Sequence, residues 1–137
     1  MSIKINAILA ETLPPGIYPL GSRARASTIV QAVERHGWRC FYLDGRQIGD
    51  KAAFLAASAQ AMHFPSYFGG NWDAFEECLT DLAWVPAPGY MLLYDDVAHF
   101  AAAHPAEWTT ARAILADAVA RWRALGTPMY VLLRGGE

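Results

Sequence analysis

Residues 64–84 read FPSYFGGNWDAFEECLTDLAW, and this stretch sets the organisation of the chain. It opens as a loop. Pro65 fixes its own φ and biases Phe64 away from helix, and Gly69-Gly70 allows a sharp turn. A helix follows, with Asn71 or Gly70 as its N-cap and Asp73 in the first turn, where a negative charge suits the helix dipole. Advancing about 100° per residue from Trp72 divides the helix into two arcs. Trp72, Ala74, Phe75, Cys78, Leu79 and Leu82 fall on one, and Asp73, Glu76, Glu77, Thr80 and Asp81 on the other. The first arc is core. The second is a row of carboxylates beside two loop aromatics, Tyr67 and Phe68. A charged arc is commonly a solvated helix face. Here, however, no Lys or Arg supplies the usual i,i+4 partners.

That absence extends well beyond the helix. Residues 52–111 contain no Lys or Arg, but carry Asp73, Glu76, Glu77, Asp81, Asp95, Asp96 and Glu107. Residues 1–51 hold seven cations against four acids, so the modest net charge of −2 hides a strong asymmetry. An acidic middle disfavours nucleic acid as a direct ligand, because phosphate contacts need cations. It favours a cationic partner. At 137 residues with 54% hydrophobic and 18% charged residues, the chain has material for a packed core and reads as one globular domain. Its two cysteines, Cys40 and Cys78, have no metal-binding spacing and read as buried thiols in a reducing compartment. No secretory signal is visible and no apolar run approaches the ~20 residues of a membrane span, so the expected location is the cytoplasm.

Outward from the central stretch, an alternating order of elements emerges. Ile3–Leu9 alternates like a short strand ended by Pro14-Pro15-Gly16, and Ile17–Leu20 is a second apolar patch. A helix is predicted over about 27–36, stopped by Gly37. Arg39–Leu43 reads as a strand before the Asp44-Gly45 turn, and Asp50 as the cap of a helix reaching about Met62. Tyr90–Tyr94 is apolar almost without interruption, as in a sheet buried on both faces. Asp95-Asp96 ends it and caps a short helix from Val97 to about Ala103. Pro105 opens a long helix to about Leu125, Met129–Leu133 forms the last strand, and 134–137 reads as a frayed tail. Strands joined by helical crossovers predict a small parallel α/β sheet packed with helices. Residues 1–37 read as an added element packed on a unit spanning 38–134.

Several chemistries can be weighed against ordinary structural roles. Asp73 and Glu77 lie four apart, yet paired-carboxylate hydrolases draw their acids from separate elements around a cleft. His63 with Asp73 and Glu77, or Asp95 and Asp96 with His99, match no metal-ligand spacing, and no metal or other cofactor is expected. Cys78 falls on the apolar arc, where a thiol is core rather than nucleophile. Neither Gly69-Gly70 nor Gly135-Gly136 fits a phosphate-binding loop. A binding surface remains, and the chain is expected not to be an enzyme.

The run PSYFGGNWDAFEECLTDL resembles the signature region of the barstar family, small intracellular inhibitors of ribonucleases. The shared elements are Pro65, Tyr67, an aromatic at Phe68, Gly69, Asn71, Asp73-Ala74 and Cys78-Leu79-Thr80. The likeness continues more weakly from Arg39–Gly45 to the last strand. It implies a three-stranded parallel sheet with helices, to which the N-terminal residues would add a helical element. It also implies a non-enzymatic inhibitor that plugs the active site of a basic ribonuclease with this helix and loop. Carried over by position, Tyr67 and Gly69 become loop contacts and Asn71 a flanking one. Asp73 and Glu77 become phosphate-mimicking acids, with Glu76 beside them and Thr80 further along the face. The family's type complex is itself a standing example of electrostatic steering and of a dominant acidic contact. The chain departs from it in three places. Glu77 is one methylene longer than the family's aspartate, Glu76 replaces an aromatic, and Arg121 stands where a well-known member has an interface acid on its last helix. These departures point to a different cognate nuclease or toxin. A regulatory or scaffold protein of the same fold, binding a basic partner that is not a nuclease, is the alternative.

Overall fold

A computed structural model describes residues 4–136 of the chain. The elements run α1 (Ile5–Leu9), β1 (Ile17–Pro19), α2 (Ala26–Arg35), β2 (Arg39–Asp44), a 3-10 turn (Gly45–Gln47), α3 (Lys51–Ala61), α4 (Trp72–Leu79), β3 (Tyr90–Asp95), α5 (Ala98–Ala103), α6 (Pro105–Ala124) and β4 (Met129–Leu133). All strand pairs are parallel, in the order β1-β4-β3-β2. The sheet therefore has four strands where three were expected. The expected three are β2, β3 and β4. The fourth, β1, comes from the apolar patch in the N-terminal region, which adds a strand as well as helices. Three residues are too few to show alternation, and Pro19 reads as a breaker. At the sheet edge, a missing N–H costs no ladder bond.

Side-chain alternation along the strands separates two apolar layers. Tyr90, Leu92 and Tyr94 of β3, with Met129, Val131 and Leu133 of β4, join the layer under α3–α6. Met91 and Leu93, with Cys40, Tyr130 and Leu132, join the layer under α1 and α2. β3 is buried along both faces, as its unbroken apolar run predicted. The covering residues of the second layer are Ile8, Leu20, Ile29 and Val33, all within the first 37 positions and nearly inaccessible to solvent. Each such side chain contributes about 1.5–3 kcal/mol by leaving water.

Two further expectations are corrected. Ile5–Leu9 is helix, not strand: Ile5, Ile8 and Leu9 stand at i, i+3 and i+4, and Ile8 is buried. Ile3, where the predicted strand began, lies outside the described residues. Arg134 is no frayed end. Its guanidinium donates to both oxygens of Asp95 at 2.6 and 2.8 Å, and to the carbonyls of Ser22 (3.1 Å) and Ala24 (2.7 Å). Tyr42 Oη adds a third bond to Asp95 at 3.0 Å. One side chain thus joins the end of β4, the end of β3 and the loop after β1. Glu137 lies outside the described residues.

Candidate functional site

The loop between α3 and α4 is held from inside by aromatic rings. Phe64 packs on Phe68 (5.0 Å between centroids), Phe75 (6.2 Å) and Trp84 (6.1 Å). Trp84 Nε1 donates to the Met62 carbonyl at 2.9 Å, and Phe68 N closes a turn on Pro65 O at 3.0 Å. Gly70 adopts φ +70°, a conformation that suits glycine. Asn71, not Gly70, is the N-cap, with extended backbone and Oδ1 accepting from Ala74 N at 2.8 Å. The inward rings leave Tyr67 outside, 69% exposed. Its phenol is pushed up, first by desolvation and then by the charges of Cys78, Asp81 and Glu77.

On α4, Phe75, Cys78 and Leu79 are buried, Asp73 and Glu77 are exposed, and Glu76 is half-buried. The helix stops at Leu79 with Thr80 as C-cap, and Leu82 takes φ +49°. Asp81 and Leu82 therefore follow the helix, although the pattern of inward Leu82 and outward Asp81 persists. Burial raises the Cys78 thiol, with Glu77 and Asp81 adding to the effect. That is the reverse of what an activated nucleophile needs.

Two indole hydrogen bonds tie α4 to α6. Trp72 Nε1 donates to Glu107 Oε2 at 3.1 Å, and Trp122 Nε1 to the Leu79 carbonyl at 3.0 Å. Lys51 Nζ lies 5.4 Å from the Trp72 ring centroid. Thr80 Oγ1 donates to Glu76 O at 2.8 Å and receives a long bond from Arg121 Nη1 at 3.5 Å. Of the seven acids in the cation-free segment, folding thus engages Asp95 with Arg134 and Glu107 with Trp72. Among the described residues, no ion pair involves Asp73, Glu76, Glu77 or Asp81.

The structure accordingly brings Tyr67, Asp73, Glu76 and Glu77 together around one helix. Asn71 is occupied as a cap. Gly69 leaves room beside the Asn71 amide, where an added Cβ would stand 3.4 Å from Nδ2. The Thr80 hydroxyl is bonded to its own helix. Sequence reasoning missed Lys51 and Glu107 as neighbours of Trp72 at the start of α4 and treated Arg121 only as a mismatch. The pattern around residue 72 carries no local signal for contacts made by α3 and α6.

Other places for chemistry fare less well. In open parallel sheets, ligands gather outside the carboxyl ends of the strands where connections diverge to opposite faces. That crevice, a cleft of about 260 Å³ bordered by Ser22, Arg23, Asp95, Asp96 and Gly135, is spanned by the Arg134 guanidinium. A larger cleft of about 680 Å³, between Pro15–Ile17 and the Arg112–Ala124 side of α6, includes no predicted site residue. Among the described residues, no group of three or more His, Cys, Asp or Glu could hold a metal ion. None of the described helices is long and apolar enough to cross a membrane.

Comparison with known proteins agrees with the motif. The family model described as Barstar (barnase inhibitor) matches residues 38–134. No curated protein matches the chain. Among solved structures, the Aeropyrum pernix ORC2 protein in its ADPNP–ADP complexes is similar, with a TM-score of 0.58 at 14% identity. The alignment covers 96% of this chain but 38% of that one. A likeness at this identity is one of fold.

Proposed function

The chain belongs to the barstar family, and on that premise we propose that it inhibits a basic ribonuclease by covering the active site with α4 and the loop before it. The observation that carries this reading is the unpaired acidic face of α4. Asp73, Glu76 and Glu77 lie on α4, after a loop that leaves Tyr67 exposed, with no cation in ion-pair contact among the described residues. Clustered carboxylates without partners are costly to desolvate. Such a face becomes useful when a partner supplies Arg or Lys, as the phosphate-binding cleft of a ribonuclease does. Asp73 and Glu77 take the place of substrate phosphates, Tyr67 and the Gly69-Gly70 backbone form the contact loop, and Asn71 fixes the angle between loop and helix. Thr80 marks the end of the contact helix. The chain does no chemistry of its own. Residues 1–37 and 38–134 act as one folded unit, the first closing the sheet face that the second leaves apolar.

The reading is tested by titrating the protein against a panel of basic, barnase-like ribonucleases in a ribonuclease assay. Wild type is expected to inhibit, and the Asp73→Ala/Glu77→Ala double variant to lose inhibition. Truncating one partner of an interfacial charge pair costs about 2–5 kcal/mol. Equal inhibition by the two proteins would remove α4 from the interface. Both positions are exposed, so the thermal midpoint of the variant should stay close to that of wild type.

A further inference from the structure

The cleft of about 680 Å³ between the entry to β1 and α6 takes no part in the reading of α4. Its helix wall is one stripe. Arg112, Ala116, Val119, Ala120 and Arg123 recur at i, i+4, i+7, i+8 and i+11, so they share a side of α6. At 1.5 Å per residue the stripe runs about 16 Å from one arginine to the other. Val119 is buried at its floor, and Ala116 and Ala120 are exposed, so the middle is apolar and lined by small side chains.

The facing wall is a free edge of the sheet. Among the described residues, β1 pairs only with β4. Val131 N donates to Gly16 O at 2.9 Å and Leu20 N to Leu133 O at 3.0 Å, so the even-numbered residues turn their backbone toward β4. Ile17 has the opposite parity, and its N–H and C=O face away from the sheet. Pro15 and Pro19 share that parity but have no N–H, so the edge offers one residue with both a donor and an acceptor. At one end of the cleft stands Arg123, exposed and without a side-chain hydrogen bond or ion pair among the described residues. Its charge reaches the Tyr130 phenol, where it opposes the upward push of burial and of the Glu11 charge. Arg123 also suits the negative end of the helix dipole, but Arg121 in the same turn does so without bordering the cleft.

We propose that this cleft binds an extended, acidic peptide segment of a partner protein, which pairs with the Ile17 backbone, lays apolar side chains over Val119, Ala116 and Ala120, and sets a carboxylate against Arg123. The length fits, because 16 Å is spanned by about five extended residues. Strand addition draws affinity from main-chain bonds and specificity from the side-chain pockets beside them. An arginine without an internal partner supplies a charge-assisted bond to a carboxylate and rejects a cationic segment. The two prolines confine pairing to Ile17, so the edge takes a segment in one register and does not recruit strands at large.

The experiment measures fluorescence anisotropy with the full chain and fluorescein-capped, amidated heptapeptides of alternating Val and Thr, each carrying one Glu at a different position. A matching set carries Lys, and dodecanoate serves as an acid without a peptide backbone. At least one Glu peptide should bind about tenfold more tightly than its Lys counterpart. Arg123→Glu should weaken that peptide about tenfold and strengthen the Lys counterpart. Ala120→Trp, which fills the cleft from an exposed position, should weaken the Glu peptide about tenfold; if it also lowers the thermal midpoint, the Arg123→Glu result decides. Methylating the backbone nitrogens of the best peptide one at a time should find one whose loss costs as much. No binding by any Glu peptide at millimolar concentration, equal binding by Arg123→Glu, or capture of dodecanoate by a chain that ignores every Glu peptide would overturn the proposal.

Discussion

Replacing Arg134 with methionine removes the cation that joins three parts of the fold but keeps the length of its apolar stem. Arg134 and Asp95 side chains are each only 15% exposed. The change deletes two charge-assisted bonds to Asp95 and two bonds to the Ser22 and Ala24 carbonyls. Asp95 then keeps the Tyr42 hydroxyl as its remaining side-chain partner. Breaking a buried pair from one side costs about 3–5 kcal/mol, and the residual water access points to the lower end, about 3 kcal/mol. That is a large part of the about 5–15 kcal/mol that holds a domain together. Urea unfolding followed by tryptophan fluorescence measures it. Because most of the loss comes from the stranded carboxylate, Asp95→Asn/Arg134→Met should be more stable than the sum of the single changes predicts. Hydrogen exchange should quicken first in residues 5–35, which then keep the β1–β4 pairing but lose the Arg134 anchor. A loss below about 1 kcal/mol, or strict additivity in the double variant, would refute the assignment of Arg134 as the anchor.

Three other outcomes are expected. Asn71→Ala removes the α4 cap and should cost about 1 kcal/mol by urea unfolding, with weaker nuclease inhibition because the loop angle is no longer fixed. Alkaline solution should destabilise the fold. Burial pushes the Cys40 thiol up from 9.0 to about 12, and burial together with the Asp95 bond pushes the Tyr42 phenol from 10.0 to about 12. The unfolded chain gives up these protons first. Stability should thus be full below about pH 9 and fall toward pH 12. Cys40→Ala should delay the onset to about pH 10, as urea midpoints across this range would show. Association with a basic nuclease should slow as salt rises, and a stopped-flow rate indifferent to salt would exclude steering by the α4 acids.

The sequence made α4 legible because its apolar and acidic residues separate cleanly at helical spacing, and β3 legible because its burial on both faces leaves no polar interruption. The Asp50 cap was equally open to reading, with Oδ1 accepting from Ala53 N at 2.8 Å. What stayed hidden depends on distance along the chain. Ile5-Asn6-Ala7-Ile8-Leu9 satisfies both a strand and a helix pattern, and packing against the sheet decides between them. The partners of Arg134 lie at Ser22, Ala24 and Asp95, so no local window could show that a terminal arginine is half of a buried pair. The cation-free segment was correctly seen in one dimension. In three, Lys51 is brought to Trp72, Arg121 to Thr80 and Arg134 to Asp95, while the α4 acids make no ion pair among the described residues.

The pairing of β1 with β4 has a consequence for how the protein is made. Ile17 meets Val131 and Pro19 meets Leu133, so the earliest made of the four strands waits for the latest made of the four. During translation, the apolar undersides of α1 and α2 have only part of their eventual platform, while β2 and β3 are free to pair as soon as β3 emerges. The non-local contact is the slow one, and until it forms the growing chain carries an uncovered hydrophobic surface. A nascent chain stalled before Met129 should therefore be protease-sensitive in its first 37 residues. The five-residue β4 would act as the latch between β1 and the rest of the sheet, closing only after Met129–Leu133 has been made.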